Sequence, residues 1–324
     1  MSYIFRRILY AFPILMGVNL LTFFLFFVVN TPDDMARMQL GMKHVTEEAI
    51  DNWKEERGYD RPLLWNVTAH GSEQFTETLI YIESLKLFKF EFGKADDGRS
   101  IGRDIEERMG PSLSIAVPIF IIGILTNITF ALIMVFFRST YLELSGVVLT
   151  VVLMSISGLF YIIGGQFLVG KMMHLVPISG YVGGFDSFRF IILPVAIGVI
   201  SGIGSGVRWY RTIFLEEMGK DYVRTARAKG LSEFRVLFHH VLRNAMIPIL
   251  TGAVVVLPLL FMGSLITESF FGIPGLGSYT IEAINAQDFA IVRAMVFLGA
   301  VLYIIGLLLT DLSYTLVDPR VKLS

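Results

Sequence analysis

The chain has 324 residues; 54% are hydrophobic, 17% are charged, and the mean hydropathy is +0.65. That balance excludes an ordinary soluble domain and points to a membrane protein. Cys is absent, which excludes disulfides, thiolate metal sites and Cys nucleophiles, and the net charge of −1 conceals opposite signs gathered in different loops, with no nucleic-acid partner expected.

In chain order, Arg6 and Arg7 open an apolar run, Ile8 to Val29, of about 22 residues, enough to cross the hydrocarbon core. It exceeds a signal-peptide core. Thr31-Pro32-Asp33-Asp34 stands where a cleavage site would be, so the run reads as a retained anchor. Residues 31–110 form a polar loop with 11 Lys/Arg against 17 Asp/Glu, a net of −6. Within it Glu47 to Tyr59 patterns as a helix. Phe75 to Phe92 offers Leu79, Ile80, Ile82, Leu85, Leu87 and Phe88 to a membrane surface, and the loop as a whole reads as a small folded cap. Further spans follow at 113–137, 144–169, 190–207, 246–271 and 290–312. The expected architecture is all-α, a polytopic membrane protein with six transmembrane helices. It divides into an N-terminal helix (1–30), the cap (31–110) and a membrane core (111–324). An N-in arrangement puts Arg6, Arg7, Arg138, the basic set of 208–243, Arg320 and Lys322 on the cytoplasmic side, with both termini. The short outer loops 170–189 and 272–289 then hold only Lys171 and Arg189.

The densest pattern lies in 208–245. Leu215, Met218, Gly219, Tyr222, Val223 and Ala226 share one helical face, and Phe234, Leu237, Phe238, Val241, Leu242 and Ala245 share another. Between them, Gly230 suits a helix C′ position with positive φ, and Ser232 suits the next N-cap. Eight basic and four acidic residues fall within 208–243. Periodicity leaves two readings open: an amphipathic elbow resting on lipid headgroups, or a surface that docks a protein.

The run Asp221-Tyr222-Val223-Arg224-Thr225-Ala226-Arg227-Ala228-Lys229-Gly230-Leu231-Ser232, followed by His240-Val241-Leu242-Arg243-Asn244-Ala245-Met246-Ile247-Pro248, resembles the cytoplasmic signature of the oligopeptide/dipeptide permease family. Those proteins are inner-membrane subunits of bacterial binding-protein-dependent ATP-binding cassette importers. The resemblance continues in Glu268-Ser269-Phe270-Phe271-Gly272-Ile273-Pro274-Gly275-Leu276-Gly277, in Val176-Pro177-Ile178-Ser179-Gly180, in Phe5-Arg6-Arg7-Ile8, in Asp311-Leu312-Ser313-Tyr314 and in Asp318-Pro319-Arg320. It implies a type I importer permease fold and an ATPase-coupling segment made of Asp221, Tyr222, Arg224, Thr225, Ala226, Arg227, Lys229, Gly230 and Leu231. It implies an outer loop, with Glu268, Gly272, Pro274, Gly275 and Gly277, that gates the pore and docks a periplasmic binding protein. The implied partners are a second, similar permease, two ATPase subunits, the binding protein and the lipid bilayer. Two departures fall at pore-shaping places: relatives commonly carry Pro where this chain reads Ser155-Ile156-Ser157-Gly158, and Gly and Pro where it reads Phe130 to Phe136.

Gly198, Gly202 and Gly206 form a small-residue stripe suited to close helix packing or to a moving pore interface. Glu268 sits near the end of a span, as a functional carboxylate or as an interfacial one. Asn19, Asn127 and Gln166 read as interhelical glue, and Asp311 as a snorkelling or paired acid. The five His show no metal-ligand spacing, so no metal is expected. No Gly-x-x-x-x-Gly-Lys-Ser/Thr loop occurs. No enzymatic activity and no cofactor are expected in this chain, and ATP and Mg²⁺ belong to the partner subunits. The substrate stays open between peptides, oligosaccharides and metal chelates. An ion-gradient carrier or channel, and a receptor or scaffold built on the 31–110 loop, are the rival classes.

Overall fold

The computed structural model describes residues 2–41 and 45–317. His44, Asp318-Pro319-Arg320 and Lys322 lie outside the described residues. The described elements are helical: α1 (Ser2–Phe24), α2 (Pro32–Leu40), α3 (Glu47–Arg57), α4 (Glu73–Thr76), α5 (Ile101–Phe136), α6 (Tyr141–Ser155), α7 (Gly158–Gly165), α8 (Phe188–Met218), α9 (Asp221–Ala228), α10 (Glu233–Arg235), α11 (Leu242–Val256), α12 (Leu265–Phe271), α13 (Leu276–Ala286) and α14 (Phe289–Val317). Five helical stretches are long and apolar enough to cross a membrane, and a sixth crossing is possible if α6 and α7, bent by 87° at their junction, make one broken span.

Two of the expected spans change. Span 144–169 is not straight: Ser155-Ile156-Ser157 interrupts it, with Ile156 extended at ψ 126°. Serine hydroxyls compete for backbone groups, and Ser155 Oγ donates to Val151 O at 2.8 Å. Tyr161 Oη donates to Leu153 O at 2.7 Å, satisfying a carbonyl beside the break. The helix therefore breaks at a Ser-Ile-Ser sequence that contains no proline. Span 246–271 begins earlier and ends earlier. Helix runs from Glu233 to Met262, and Gly263, at φ +66°, separates it from the short α12.

The chain falls into two compact units, Met1–Arg108 with Tyr279–Leu308, and Met109–Ser278 with Leu309–Ser324. The cap thus shares its unit with the first span and most of the last helix, where the sequence division grouped it with neither. Phe23 and Phe27 of the first span bury against Met35, Ala36, Ile50, Trp53, Tyr59 and Leu79 of the cap. Asn19 donates to Ser84 O at 2.9 Å. Arg293 of α14, 5% exposed, pairs with Glu83 and lies 4.7 Å from the Phe27 ring. A buried charge requires such a partner, which ties the last helix to the cap. Local signals set the cap helices. Thr31 and Asp34 form a capping box on α2, and Thr46 caps α3, which ends on Gly58 at φ +71°. Of the residues of Phe75 to Phe92 offered to a membrane surface, Leu79 and Leu87 are buried in the unit, together with Thr78 and Ser84, while Ile80, Ile82, Leu85 and Phe88 are half-buried.

The second unit packs α5, α6, α8 and α11. Its core joins Ala131, Leu132 and Val135 of α5 to Val207, Tyr210 and Phe214 of α8, and to Ala245 and Ile249 of α11. Gly198 and Gly206 do serve packing, facing Ile119 and Asn127 of α5, but Gly202 faces open space. Gly204 lets α8 meet the backbone of α6, since a Cβ there would stand 2.7 Å from both Thr150 O and Met154 N.

Candidate functional site: an elbow and a stapled turn at the ends of one span

The stretch Glu233–Met262 carries a distinctive corner at each end. At its start, α9 ends in a Schellman motif. Gly230 adopts φ +78°, its N–H donates to Arg227 O at 2.9 Å, and Leu231 N–H donates to Ala226 O at 3.3 Å. Leu231 packs on the cluster that holds Ala226, the apolar contact this motif favours. Asp221 opens α9, where a carboxylate suits the helix dipole. Ser232 takes the N-cap position of α10, using its carbonyl, which accepts from Val236 N–H at 2.9 Å, and not its hydroxyl.

Val223 and Ala226 anchor the elbow in the core, and Val236, Leu237 and Val241 anchor its second helix. Phe234 and Phe238, which the spacing places on one face with Leu237 and Val241, are exposed and stacked with ring centroids 4.4 Å apart. A π-helical stretch at Val236–Val241 interrupts the 3.6-residue period along this face. Of the expected coupling residues, Asp221, Arg224, Thr225, Arg227, Lys229 and Gly230 are exposed, Tyr222 and Leu231 are half-buried, and Ala226 is buried. Arg227 is not a free charge. Its guanidinium makes two bonds to Glu233, at 2.7 and 3.1 Å, across the glycine corner. Arg224 lies 3.4 Å from Asp221, with both side chains exposed.

Sequence reasoning missed Glu217. It is 8% exposed, accepts from Tyr222 Oη at 2.7 Å and pairs with Lys220. This links the end of α8 directly to α9. Burial, then the Glu217 bond, pushes the Tyr222 hydroxyl up to about 12. The hydroxyl therefore stays a donor throughout the physiological range. The only sequence signal was the spacing of Glu217, Lys220 and Tyr222 around one helix end.

At the other end, the expected loop residues converge on Glu268. It is 1% exposed, buried within the second unit. Glu268 Oε1 accepts from Ser264 N–H at 3.1 Å, and Oε2 accepts from Gly277 and Ser278 N–H at 2.7 and 3.1 Å. Ser112 of α5, also missed, accepts from Leu276 N–H at 2.8 Å. The first three amides of α13, which no helix can satisfy internally, are thus taken by two side chains. Gly275 and Gly277 are buried because they must approach closely: a Cβ on Gly275 would overlap Glu268 and Ser112, and one on Gly277 would meet Ser264 backbone at 2.6 Å. Gly272 and Pro274 are exposed. Gly272 builds a second Schellman corner, at φ +62°, with Gly272 N–H to Ser269 O at 3.4 Å and Ile273 N–H to Glu268 O at 2.9 Å. The separate motif Val176 to Gly180 meets this turn, with Gly180 N–H donating to Phe271 O at 2.7 Å. Gln166 bridges the two, donating to Ile178 O and Phe270 O at 3.1 and 2.9 Å.

The described residues contain no group of three or more His, Cys, Asp or Glu placed to hold a metal. Residues 111–323 match the family described as binding-protein-dependent transport system inner membrane component, and residues 1–80 match its N-terminal companion. A putative peptide transport system permease of Brucella abortus is 31% identical over 332 residues, covering 98% of each chain. The dipeptide transport system permease DppB of Bacillus subtilis is 29% identical, covering 84% of this chain and 88% of its own. The oligopeptide transport system permease AppB of the same organism is 25% identical, covering 99% of both. This chain belongs to the binding-protein-dependent transport system inner membrane component family, and is a membrane-spanning transport permease and not an enzyme.

Proposed function

We propose that the chain is one of two permease subunits of an ATP-driven peptide importer in a bacterial inner membrane, with the 208–245 elbow seated on a partner ATPase. The observation that carries this is the elbow itself. It displays Asp221, Arg224, Thr225, Lys229 and Gly230 on a rigid Schellman corner whose far side is locked into α5, α8 and α11. A knob held this way passes a push on as rigid-body movement. Two routes leave it: the covalent one through α10 into the Glu233–Met262 helix, and the Tyr222–Glu217 bond into α8.

In this reading both termini and the elbow are cytoplasmic, and the cap and the Gly263–Gly277 turn face outward, as the distribution of Lys and Arg favours. A second permease, two ATPases that bind ATP and Mg²⁺, and a periplasmic binding protein complete the machine. The chain supplies a gated path and no chemistry. Peptide is favoured as solute by the names of the relatives. Oligosaccharides and metal chelates are the alternatives, which a ligand screen on the cognate binding protein separates.

The test is reconstitution with the partner subunits in lipid. Arg227→Glu or Gly230→Trp abolishes solute-stimulated ATP hydrolysis and uptake in this reading. Wild-type stimulation by either variant overturns it. Uptake by the chain alone, stopped by a protonophore and indifferent to vanadate, would instead assign a gradient-driven carrier.

A further inference from the structure

Beside Glu268 the second unit holds a cavity of about 370 Å³, lined by Ile115, Ile119, Gly198, Val256, Leu260 and Glu268 among others. A carboxylate at the end of an apolar cavity invites a reading as a receptor for a cationic group on the solute. The bonding argues against it. Oε1 and Oε2 are already engaged by three backbone amides, and Ser264 Oγ and Thr267 Oγ1 bond each other at 2.9 Å. The polar end of the cavity has spent its groups on the protein. A cationic group entering would find one lone-pair site of the carboxylate left to it, and gaining a second would displace an amide and leave a buried donor unsatisfied, which is costly.

What the carboxylate does do is join the starts of two helices, with Ser112 beside it holding one of them to a third. Ser264 begins α12, Gly277 and Ser278 begin α13, and Ser112, which accepts from the neighbouring Leu276 N–H, belongs to α5. Glu268 itself sits on α12. The glycines at 263 and 275 leave the room it occupies. Without this staple, the turn would be two short helices joined by Gly272 to Gly275, with nothing to fix the angle between them.

We propose that Glu268 is a positioning residue of the gate: with Ser112 it locks Gly263–Ser278 into one rigid piece hung on α5, and it touches neither solute nor binding protein. This rests on the importer reading for the word gate, while the staple does not. The locked turn lets movement of the Glu233–Met262 helix shift the whole outer corner together, so transport depends on the lock even though no solute contacts it.

The test uses Glu268→Gln and the milder Ser112→Ala. Gln keeps the size but turns one acceptor oxygen into a donor facing amide donors. In the full chain in lipid nanodiscs, hydrogen exchange at Gly277 and Ser278 rises about tenfold or more in Glu268→Gln, while residues 221–231 stay unchanged. Ser112→Ala raises exchange at Leu276 by a smaller factor. This arm needs no partner, so it reads even if the importer assignment fails; unchanged exchange in both variants overturns the staple. In the assembled transporter, the maximal uptake rate per complex falls and ATP consumed per solute rises, with the KM for loaded binding protein unchanged. A raised KM with an unchanged maximal rate makes Glu268 a contact and overturns the proposal. Lower assembly with a wild-type rate and ATP ratio in the assembled fraction makes it merely structural, and overturns it equally.

Discussion

Gly230 and Gly272 stand in corners built from the same backbone bonds, a 5→2 and a 6→1 pair around a left-handed glycine, at opposite ends of one span. Their surroundings are opposite. The elbow turns its charges outward and holds them loosely, with Arg224 and Asp221 both exposed and the Arg227–Glu233 pair half in solvent. The turn at Gly272 keeps one charge, wholly inside, and bonds it to backbone. An outward, weakly held set of charges suits a surface that another protein grips. An inward, fully bonded charge suits a joint that must not deform. The backbone motif therefore does not fix the role; the placement of charge around it does.

The largest effect that would sharpen this contrast is Gly275→Val, which drives a branched side chain into Glu268 and Ser112 and should cost about 3 kcal/mol or more. Thermal unfolding of the purified chain in detergent measures it; a change below 1 kcal/mol would mean the turn is not tightly packed. Next, Tyr222→Phe leaves the buried Glu217 with one partner fewer and should cost about 1–2 kcal/mol. The same variant tests the raised phenol. In the folded chain Tyr222 holds its proton up to about 12, so the stability it adds is complete below pH 10 and is lost as pH rises towards 12. Unfolding measured from pH 8 to 12 should show a steeper alkaline fall for wild type than for the Phe variant. Gly230→Ala and Gly272→Ala should each cost about 1 kcal/mol, because both only strain φ. Unequal losses would break the equivalence of the two corners. Smallest is the swap Arg227→Glu with Glu233→Arg, which preserves an exposed pair and should change stability by about 0.5 kcal/mol or less. It reverses the charge shown to a partner, so stimulated ATP hydrolysis should still fall.

Much of this was legible in the residues. The elbow, its glycine and its cap position followed from helical spacing around Gly230 and Ser232, and the first anchor followed from its apolar length. Three things were not. The π-helical stretch at Val236–Val241 interrupts the face that carries Phe234 and Phe238, both exposed, and no pattern of period 3.6 announces a one-residue slip. Glu268 stayed open between a functional and an interfacial carboxylate because its bonds run to amides of residues 264, 277 and 278, which sequence gives no means of pairing with it. Arg293 sat unremarked in an apolar span because its partner, Glu83, lies 210 residues away.

The coupling role of the elbow is tested most directly by reversing a charge that is exposed and outside the core. Lys229→Glu in the reconstituted importer should leave hydrogen exchange across 208–262 unchanged while abolishing solute-stimulated ATP hydrolysis and uptake. Wild-type stimulation and uptake with that substitution would contradict the account.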